Sequence, residues 1–230
     1  MRAVILAGGK GTRLAPYTTV LPKPLMPVGD KTMMEIILDN FRGQGFHRFH
    51  AVVNHKRDLI KSYFQEARAD YGLEFVDEDT PLGTAGGLAL LHGKVTSAFI
   101  LTNCDVIAKV DYRAIMAWHL DARADLTILG VRRKMQIPYG VIEMGPGNIV
   151  NGITEKPCFQ HVIMSGIYVL EPSVLGCIPP GRPFGFDELI VECQRRDFRV
   201  RCYEIADGWF DMGEFEEYKS LLRHFDGLKV

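Results

Sequence analysis

Ala3-Val4-Ile5-Leu6-Ala7-Gly8-Gly9-Lys10-Gly11-Thr12-Arg13-Leu14 runs from a short apolar segment into a loop with three glycines in four positions and two cations. Such a run reads as a buried strand that delivers a turn at its carboxyl end. Similar runs recur at Phe49-His50-Ala51-Val52-Val53, Ala98-Phe99-Ile100-Leu101 and Leu126-Thr127-Ile128-Leu129-Gly130-Val131, each leading into polar or glycine-rich sequence. Between them, apolar residues at three-to-four spacing predict helices from Met33 to Phe41, Leu59 to Tyr71, Gly86 to Leu91 and Tyr112 to Leu120. The alternation predicts an α/β fold, a mixed but mostly parallel sheet with helices on both faces. Val141 to Met144 and Ile149 to Ile153 flank the turn Gly145-Pro146-Gly147-Asn148 and read as a hairpin, which predicts antiparallel pairing later in the sheet. In sheets of this kind ligands bind beyond the carboxyl ends of the strands.

The chain has 230 residues, 47% of them hydrophobic and 24% charged, enough to bury a substantial core and too apolar for general disorder. With no composition break or internal repeat, one domain over residues 1–230 is expected. Lys and Arg total 27 against 28 Asp and Glu, so no bulk charge argues for nucleic acid or a membrane surface, and any bound anion must meet a local site. The apolar run from Ala3 to Ala7 is too short for a signal-peptide core or a bilayer span, which predicts a soluble cytoplasmic protein. The five cysteines, Cys104, Cys158, Cys177, Cys193 and Cys202, show no CxxC spacing and read as reduced and mostly buried. Met26, Met33 and Met34 read as core filler at a helix start, with a sticky partner surface as the other reading.

The loop from Leu6 to Leu14 has the composition of a phosphate cradle. Glycines let backbone N–H groups approach an anion, and the Arg13 guanidinium presents donors matched to phosphate oxygens. Lys23, in Leu21-Pro22-Lys23-Pro24, adds a point charge. GxGxxG fails because Leu14 stands where glycine is needed, and no GK[ST] closes a P-loop because Gly11 follows Lys10. Asp105, just past the strand ending near Leu101, and Asp211, in Trp209-Phe210-Asp211-Met212-Gly213, are two carboxylates that could share a magnesium ion. The other readings are a strand-end turn for Asp105 and, for Asp211, an N-cap of a helix from Phe215 to Leu222. Asp111 reads as a second-sphere acid or a helix cap.

The segment LAGGKGTRLAPYTTVLPKPLMPVGDK resembles the signature of the sugar-1-phosphate nucleotidylyltransferases, also called sugar nucleotide pyrophosphorylases. The resemblance continues in family order through Pro81-Leu82-Gly83-Thr84-Ala85-Gly86-Gly87, Asn103-Cys104-Asp105, Glu155-Lys156-Pro157, Ser165-Gly166-Ile167-Tyr168 and Trp209 to Gly213. It departs at Cys104, where many members carry glycine, and in lacking the carboxy-terminal β-helix of some relatives. It implies a single Rossmann-like nucleotidyltransferase domain that takes a nucleoside triphosphate and a sugar 1-phosphate, with Mg²⁺ as cofactor and a homo-oligomer as a possible assembly.

Residue by residue, the resemblance implies nucleotide binding by Leu6, Ala7, Gly8, Gly9, Gly11, Thr12, Arg13, Lys23, Glu78, Pro81, Gly83, Thr84 and Ala85. It implies catalytic roles for Arg13, Lys23 and Asp105, and metal ligation by Asp105 and Asp211. Asn103, Tyr139, Gly140, Glu155, Lys156, Ser165 and Gly166 would bind the sugar phosphate. The sugar phosphate would attack the α-phosphorus and release pyrophosphate in line. It needs no general base, because second phosphate ionisations lie at about 6.

Glu78 stands where thymidylyltransferase-like relatives carry glutamine. A carboxylate only accepts hydrogen bonds and so suits the adjacent N–H donors of guanine, which favours GTP. The acids at 77–79 could instead be a solvated loop. PLGTAG resembles mannose-1-phosphate guanylyltransferases, and the short single-domain form resembles bacterial heptose-1-phosphate guanylyltransferases. Uridylyl or thymidylyl transfer, and a non-catalytic nucleotide-sugar sensor, are the alternatives.

Overall fold

Strand β1 (Arg2–Leu6) is buried on both faces: Ala3 and Ile5 join one hydrophobic cluster and Val4 the other. A strand with that pattern sits in the middle of a sheet covered on both sides, and in this computed structural model it does. The structure describes residues 1–66, 71–206, 208–213, 217–219 and 222. After β1 come the short helix α1 (Tyr17–Val20), the ribbon of β2 (Pro27–Val28) and β3 (Lys31–Thr32), and helix α2 (Met33–Arg42). Then follow β4 (Arg48–Val53), α3 (Arg57–Glu66), β5 (Gly72–Asp77), β6 (Phe99–Asn103), β7 (Val106–Ala108) and α4 (Tyr112–Asp121). The remainder is β8 (Leu126–Gln136), β9 (Val141–Met144), β10 (Val150–Thr154), β11 (Cys158–Leu170), α5 (Phe186–Arg195), β12 (Val200–Ile205) and β13 (Trp209–Asp211).

The main sheet has seven strands in the order β12-β8-β11-β6-β1-β4-β5. All its pairs are parallel except those of β11, which runs antiparallel to β6 and β8. The chain moves outward from β1 through β4 to β5 and returns to β6 on the other side of β1. The order therefore reverses between β1 and β6, and a crevice opens at their carboxyl ends. Helices α2, α3 and α4 send Phe41, Ile60 and Ile115 into the cluster on one face. Helix α5 and the 3₁₀ turns Gly86–Leu91 and Pro172–Cys177 send Leu189, Leu88 and Val174 into the other.

Local sequence explains these elements. Thr32 caps α2: its Oγ1 accepts from the Glu35 N–H (3.3 Å), and Glu35 Oε2 accepts from the Thr32 N–H (2.7 Å). Met26, Met33 and Met34 are buried in the core, not on a partner surface. All five cysteines are free, with Cys104, Cys177 and Cys193 buried and Cys158 and Cys202 exposed.

Several boundaries differ from the sequence reading. Helix α3 ends at Glu66, residues 67–70 lie outside the described set, and Tyr71 already leads into β5. Residues 86–91 form a 3₁₀ turn, because two glycines and a short span do not sustain an α-helix. The 141–154 hairpin forms as a two-stranded ribbon of its own and does not enter the main sheet. The antiparallel pairing comes from β11, whose outer half pairs with β8 from Cys158↔Gln136 to Val162↔Arg132 as a largely exposed arm. The helix expected over 215–222 falls mainly outside the described residues.

Candidate active site

A cavity of about 470 Å³ opens in the crevice beyond β1, β4 and β6. Its walls include Leu6, Gly8, Gly9, Lys10, Gly11 and Arg13 from the glycine loop, with Lys23, Asn103, Cys104 and Asp105 on one side and Val52, Asn54, Glu78, Pro81, Gly83, Thr84 and Gly87 on the other. A separate cavity of about 650 Å³ lies between residues 176–184 and α5 and shares none of these residues. Its cations are already engaged there, Arg182 over the Phe184 ring and Arg196 with Glu192 and the Gly176 carbonyl.

The glycine loop turns at Gly11, whose φ of +65° is the left-handed conformation glycine adopts freely. Thr18 Oγ1 donates to the Gly11 carbonyl (2.8 Å), so helix α1 fastens the turn from below. Leu14 is fully buried and anchors the short 3₁₀ helix Thr12–Leu14. Lys23 opens a second 3₁₀ turn between Pro22 and Pro24, and its buried ammonium is ion-paired with the Asp105 carboxylate.

The two acids named from sequence come together. Cys104 N–H donates to the Leu6 carbonyl (3.1 Å), which sets Asp105 beside the glycine loop. Strand β13 pairs with β7, Asp211 opposite Val106, and Met212 N–H donates to the Asp105 carbonyl (2.7 Å). The point where a Cβ would stand on Gly213 lies 2.7 Å from Asp211 Oδ1, 3.0 Å from Arg13 Nη2 and 3.1 Å from Asp105 Oδ2. Burial raises the Asp211 carboxyl above its usual range, and the Asp105 charge raises it further; the Gly213 N–H, Lys23 and Arg13 act against them. Burial pushes the Cys104 thiol up to about 12, so it is no nucleophile.

Glu78 is 6% exposed, so it is not part of a solvated acidic loop. Its neighbours do lie at the surface, Asp77 paired with Lys61 and Asp79 with Arg57. One Glu78 carboxylate oxygen accepts the Leu82 N–H, and burial raises its pKa. The 81–87 loop is fixed by backbone bonds to Phe184: its N–H donates to the Leu82 carbonyl (2.8 Å), and its carbonyl accepts from Ala85 (2.9 Å) and Gly86 (3.1 Å).

Ala7, Thr12 and Ala85 do not line the cavity. Ala7 and Ala85 are buried, with the Ala7 N–H bonded to the Val52 carbonyl (2.8 Å), and Thr12 faces solvent. Asn103 lines the cavity and meets the Gly166 turn, where an added Cβ would stand 2.8 Å from Asn103 Nδ2. Ser165 is buried and its carbonyl accepts from Trp209 Nε1 (2.8 Å), while the Arg133 guanidinium lies over the Trp209 ring. Tyr139, Gly140, Glu155 and Lys156 gather where the exposed arm meets the hairpin, with Tyr139 73% exposed and Lys156 3.9 Å from Glu155. Asp111 caps α4, accepting from the Arg113 and Ala114 N–H groups (both 2.9 Å). Lys10 belongs to the loop read as a phosphate cradle, whereas Val52, Asn54, Gly87 and Cys104 were given no binding role from sequence. Asn54 follows the end of β4 directly, and its position beyond a strand's carboxyl end was the available signal.

Residues 2–225 match the nucleotidyl transferase family model. The chain belongs to that family. The chain is 32% identical over 227 residues to a mannose-1-phosphate guanyltransferase of Schizosaccharomyces pombe, covering 95% of this chain and 62% of the relative. It is 28% identical over 244 residues to a UTP–glucose-1-phosphate uridylyltransferase of Synechocystis, covering 97% of this chain and 63% of the relative. It thus spans about 62% of the length of the curated relatives it matches. Among solved structures, HddC from Yersinia pseudotuberculosis, complexed with GMP-PN, superposes with TM-score 0.75 at 28% identity, covering 97% of this chain and 99% of HddC. A putative glucose-1-phosphate thymidylyltransferase from Bacillus anthracis has TM-score 0.76 at 21% identity over 98% of this chain and 95% of its own, a likeness of fold alone. Among the described residues, no helix is long and apolar enough to cross a membrane.

Proposed function

We propose that this chain, acting as one nucleotidyltransferase domain over residues 1–230, transfers a nucleoside monophosphate from a nucleoside triphosphate, GTP by preference, to a mannose-type or heptose 1-phosphate in the cytoplasm. The carrying observation is the convergence of Arg13 and Asp105, which line a glycine-walled cavity, with Asp211 on one point, and with Lys23 locked to Asp105. The guanyltransferase relatives and the GMP-PN complex of HddC support the nucleotide preference.

The donor set fits a divalent metal. Asp105 and Asp211 offer two hard oxygens, and because among the described residues no group of three or more His, Cys, Asp or Glu could hold a metal ion, phosphate oxygens and water would complete its shell. Mg²⁺ characteristically takes one or two carboxylates plus phosphate oxygens and water. Held by Asp105 and Asp211, it would neutralise triphosphate charge and lower the barrier to displacement.

The chain's own groups do the rest. Backbone N–H groups from Gly8 to Gly11 cradle the triphosphate, and Arg13 holds it and stabilises the departing pyrophosphate. Lys23 bridges the reacting phosphates. Pro81, Gly83 and Thr84 wall the nucleoside, and Glu78 presents an acceptor to the base. Asn103, Ser165 and Gly166 border the acceptor side, while Tyr139, Gly140, Glu155 and Lys156 reach the sugar phosphate from the arm. Positioning and charge neutralisation account for the catalysis without a covalent intermediate.

The test incubates purified protein with Mg²⁺, GTP, UTP, dTTP or ATP, and mannose-, glucose- and heptose-type 1-phosphates, reading pyrophosphate against an Asp105→Asn control. Release with GTP that the control abolishes supports the reading. Release with UTP or dTTP alone moves the nucleotide assignment. Failure to release pyrophosphate while still binding nucleotide sugar favours a sensor.

A further inference from the structure

Asn54 lines the cavity beside Gly8, and no role has been given to it. It follows β4, whose Val52 carbonyl accepts from Ala7 N–H, so the strand pairing places Asn54 next to Gly8. Glycine at 8 is what permits this. A Cβ there would stand 2.9 Å from Glu78 Oε2 and 3.2 Å from Asn54 Cβ, so any larger residue would drive the two side chains off the loop. Asn54 Nδ2 donates to the Glu78 backbone carbonyl (2.6 Å), which leaves the carboxamide oxygen as the acceptor Asn54 offers. Glu78 is likewise half committed: Oε1 takes the Leu82 N–H, and Oε2 is the oxygen beside Gly8. The wall therefore presents two neighbouring acceptors from two residues.

Guanine carries two neighbouring donors on one edge, the ring N1–H and the exocyclic 2-amino group. Adenine has neither an N1–H nor a 2-amino group, and a pyrimidine edge has no second adjacent donor of that kind. We propose that Asn54 is a second base-reading residue, its side-chain oxygen accepting the 2-amino group of guanine while Glu78 Oε2 accepts N1–H. This rests on the guanylyltransferase reading above and adds to it the residue that tells guanine from hypoxanthine. Asn54 is only half-buried, so its oxygen keeps water when hypoxanthine is bound and gains a hydrogen bond only from guanine, which is what separates the two purines.

The experiment measures equilibrium binding of GTP and of ITP, which lacks only the 2-amino group, to the intact chain with Mg²⁺, so no acceptor sugar need be known. Wild type is expected to bind GTP about tenfold more tightly than ITP, the scale of one such hydrogen bond. Asn54→Ala is expected to lower GTP affinity about tenfold while changing ITP affinity less than twofold, so the preference disappears. Asn54→Asp keeps an acceptor and is expected to restore a preference of at least severalfold. Glu78→Gln is expected to weaken GTP and ITP together, since both carry N1–H. Thermal melts of each variant establish that it is folded. Equal losses for GTP and ITP in folded Asn54→Ala, or an unchanged ratio, overturn the inference and leave the guanylyltransferase reading standing. Binding of neither purine nucleotide by folded wild type overturns both.

Discussion

The ammonium of Lys23 is ion-paired with the carboxylate of Asp105, across 82 residues of chain, with only 9% and 13% of the two side chains exposed. The pair joins the Pro22-Lys23-Pro24 turn to the end of β6 and sets two opposite charges where the proposed phosphates would arrive. Removing one partner leaves a poorly solvated charge, which costs about 2–3 kcal/mol at a site partly open to a cavity. Lys23→Ala is therefore expected to lower the melting temperature by several degrees and to reduce pyrophosphate release by about 10²–10³-fold, the scale of one lost transition-state donor. Calorimetry and a coupled pyrophosphate assay read the two effects separately.

Metal dependence follows from the two acids. Chelation with EDTA should abolish pyrophosphate release, and Mg²⁺ should restore it. Asp211→Asn keeps the shape and removes one hard ligand, so half-maximal activity should require about tenfold more Mg²⁺. A variant with the wild-type Mg²⁺ requirement would remove Asp211 from the ligand set.

Two glycines in the cavity wall should respond in opposite ways. Gly83 has φ +79°, and an added Cβ would lie 2.8 Å from the Phe184 carbonyl oxygen, a backbone atom that cannot move aside. Gly83→Ala should cost about 2 kcal/mol or more and loosen the 81–87 loop. Gly9 has no atom within 4 Å of its absent Cβ, so Gly9→Ala should leave the urea midpoint nearly unchanged. Chemical denaturation of both variants checks the contrast.

Stability should fall on mild acidification. His119 is fully buried with Nδ1 2.7 Å from Thr127 Oγ1, and burial lowers its pKa, with the Asp125 charge opposing. Burial lowers His50 likewise. In both, the unfolded chain binds the proton more readily than the fold does. Their contribution is complete above the ordinary histidine value of about 6.5 and is lost as pH drops through the depressed folded value. Denaturation midpoints should decline from pH 7 to pH 5, and His119→Gln should flatten that decline.

The acceptor arm is separable from the nucleotide cradle. Lys156 is exposed and paired only loosely with Glu155. Lys156→Ala should raise the KM for the sugar 1-phosphate about tenfold and leave GTP affinity and melting temperature nearly unchanged.

The glycine loop and Asp105 were readable because each sits at the end of a β-rich run, where one strand and its turn carry the whole signal, and Lys23 was readable from its setting between two prolines. Val52 and Gly87 were not, because they reach the cavity only through the pairing of Leu6 with Val52 and the folding back of the 81–87 loop onto Phe184, contacts between segments far apart in the chain, whereas Asn54 carried the strand-end signal and was passed over. The arm was not read at all, for a related reason. Residues 158–162 are exposed and show little of the pattern that marks a core strand, so their pairing with β8 depends on a register that only the folded sheet defines. Glu78 was singled out from three consecutive acids by the resemblance, with a solvated loop as the other reading, and its bond to the Leu82 N–H shows why one of the three is buried.

Strand β1 pairs on one edge with β4 and on the other with β6, which arrives about a hundred residues later. During synthesis the apolar ribbon from Ala3 to Leu6 emerges early and keeps one unsatisfied backbone edge until Phe99–Asn103 has left the ribosome. The same arrangement that creates the ligand crevice therefore imposes a waiting period on the nascent polypeptide. Truncations ending before Phe99 should be aggregation-prone, whatever their local helix and strand content.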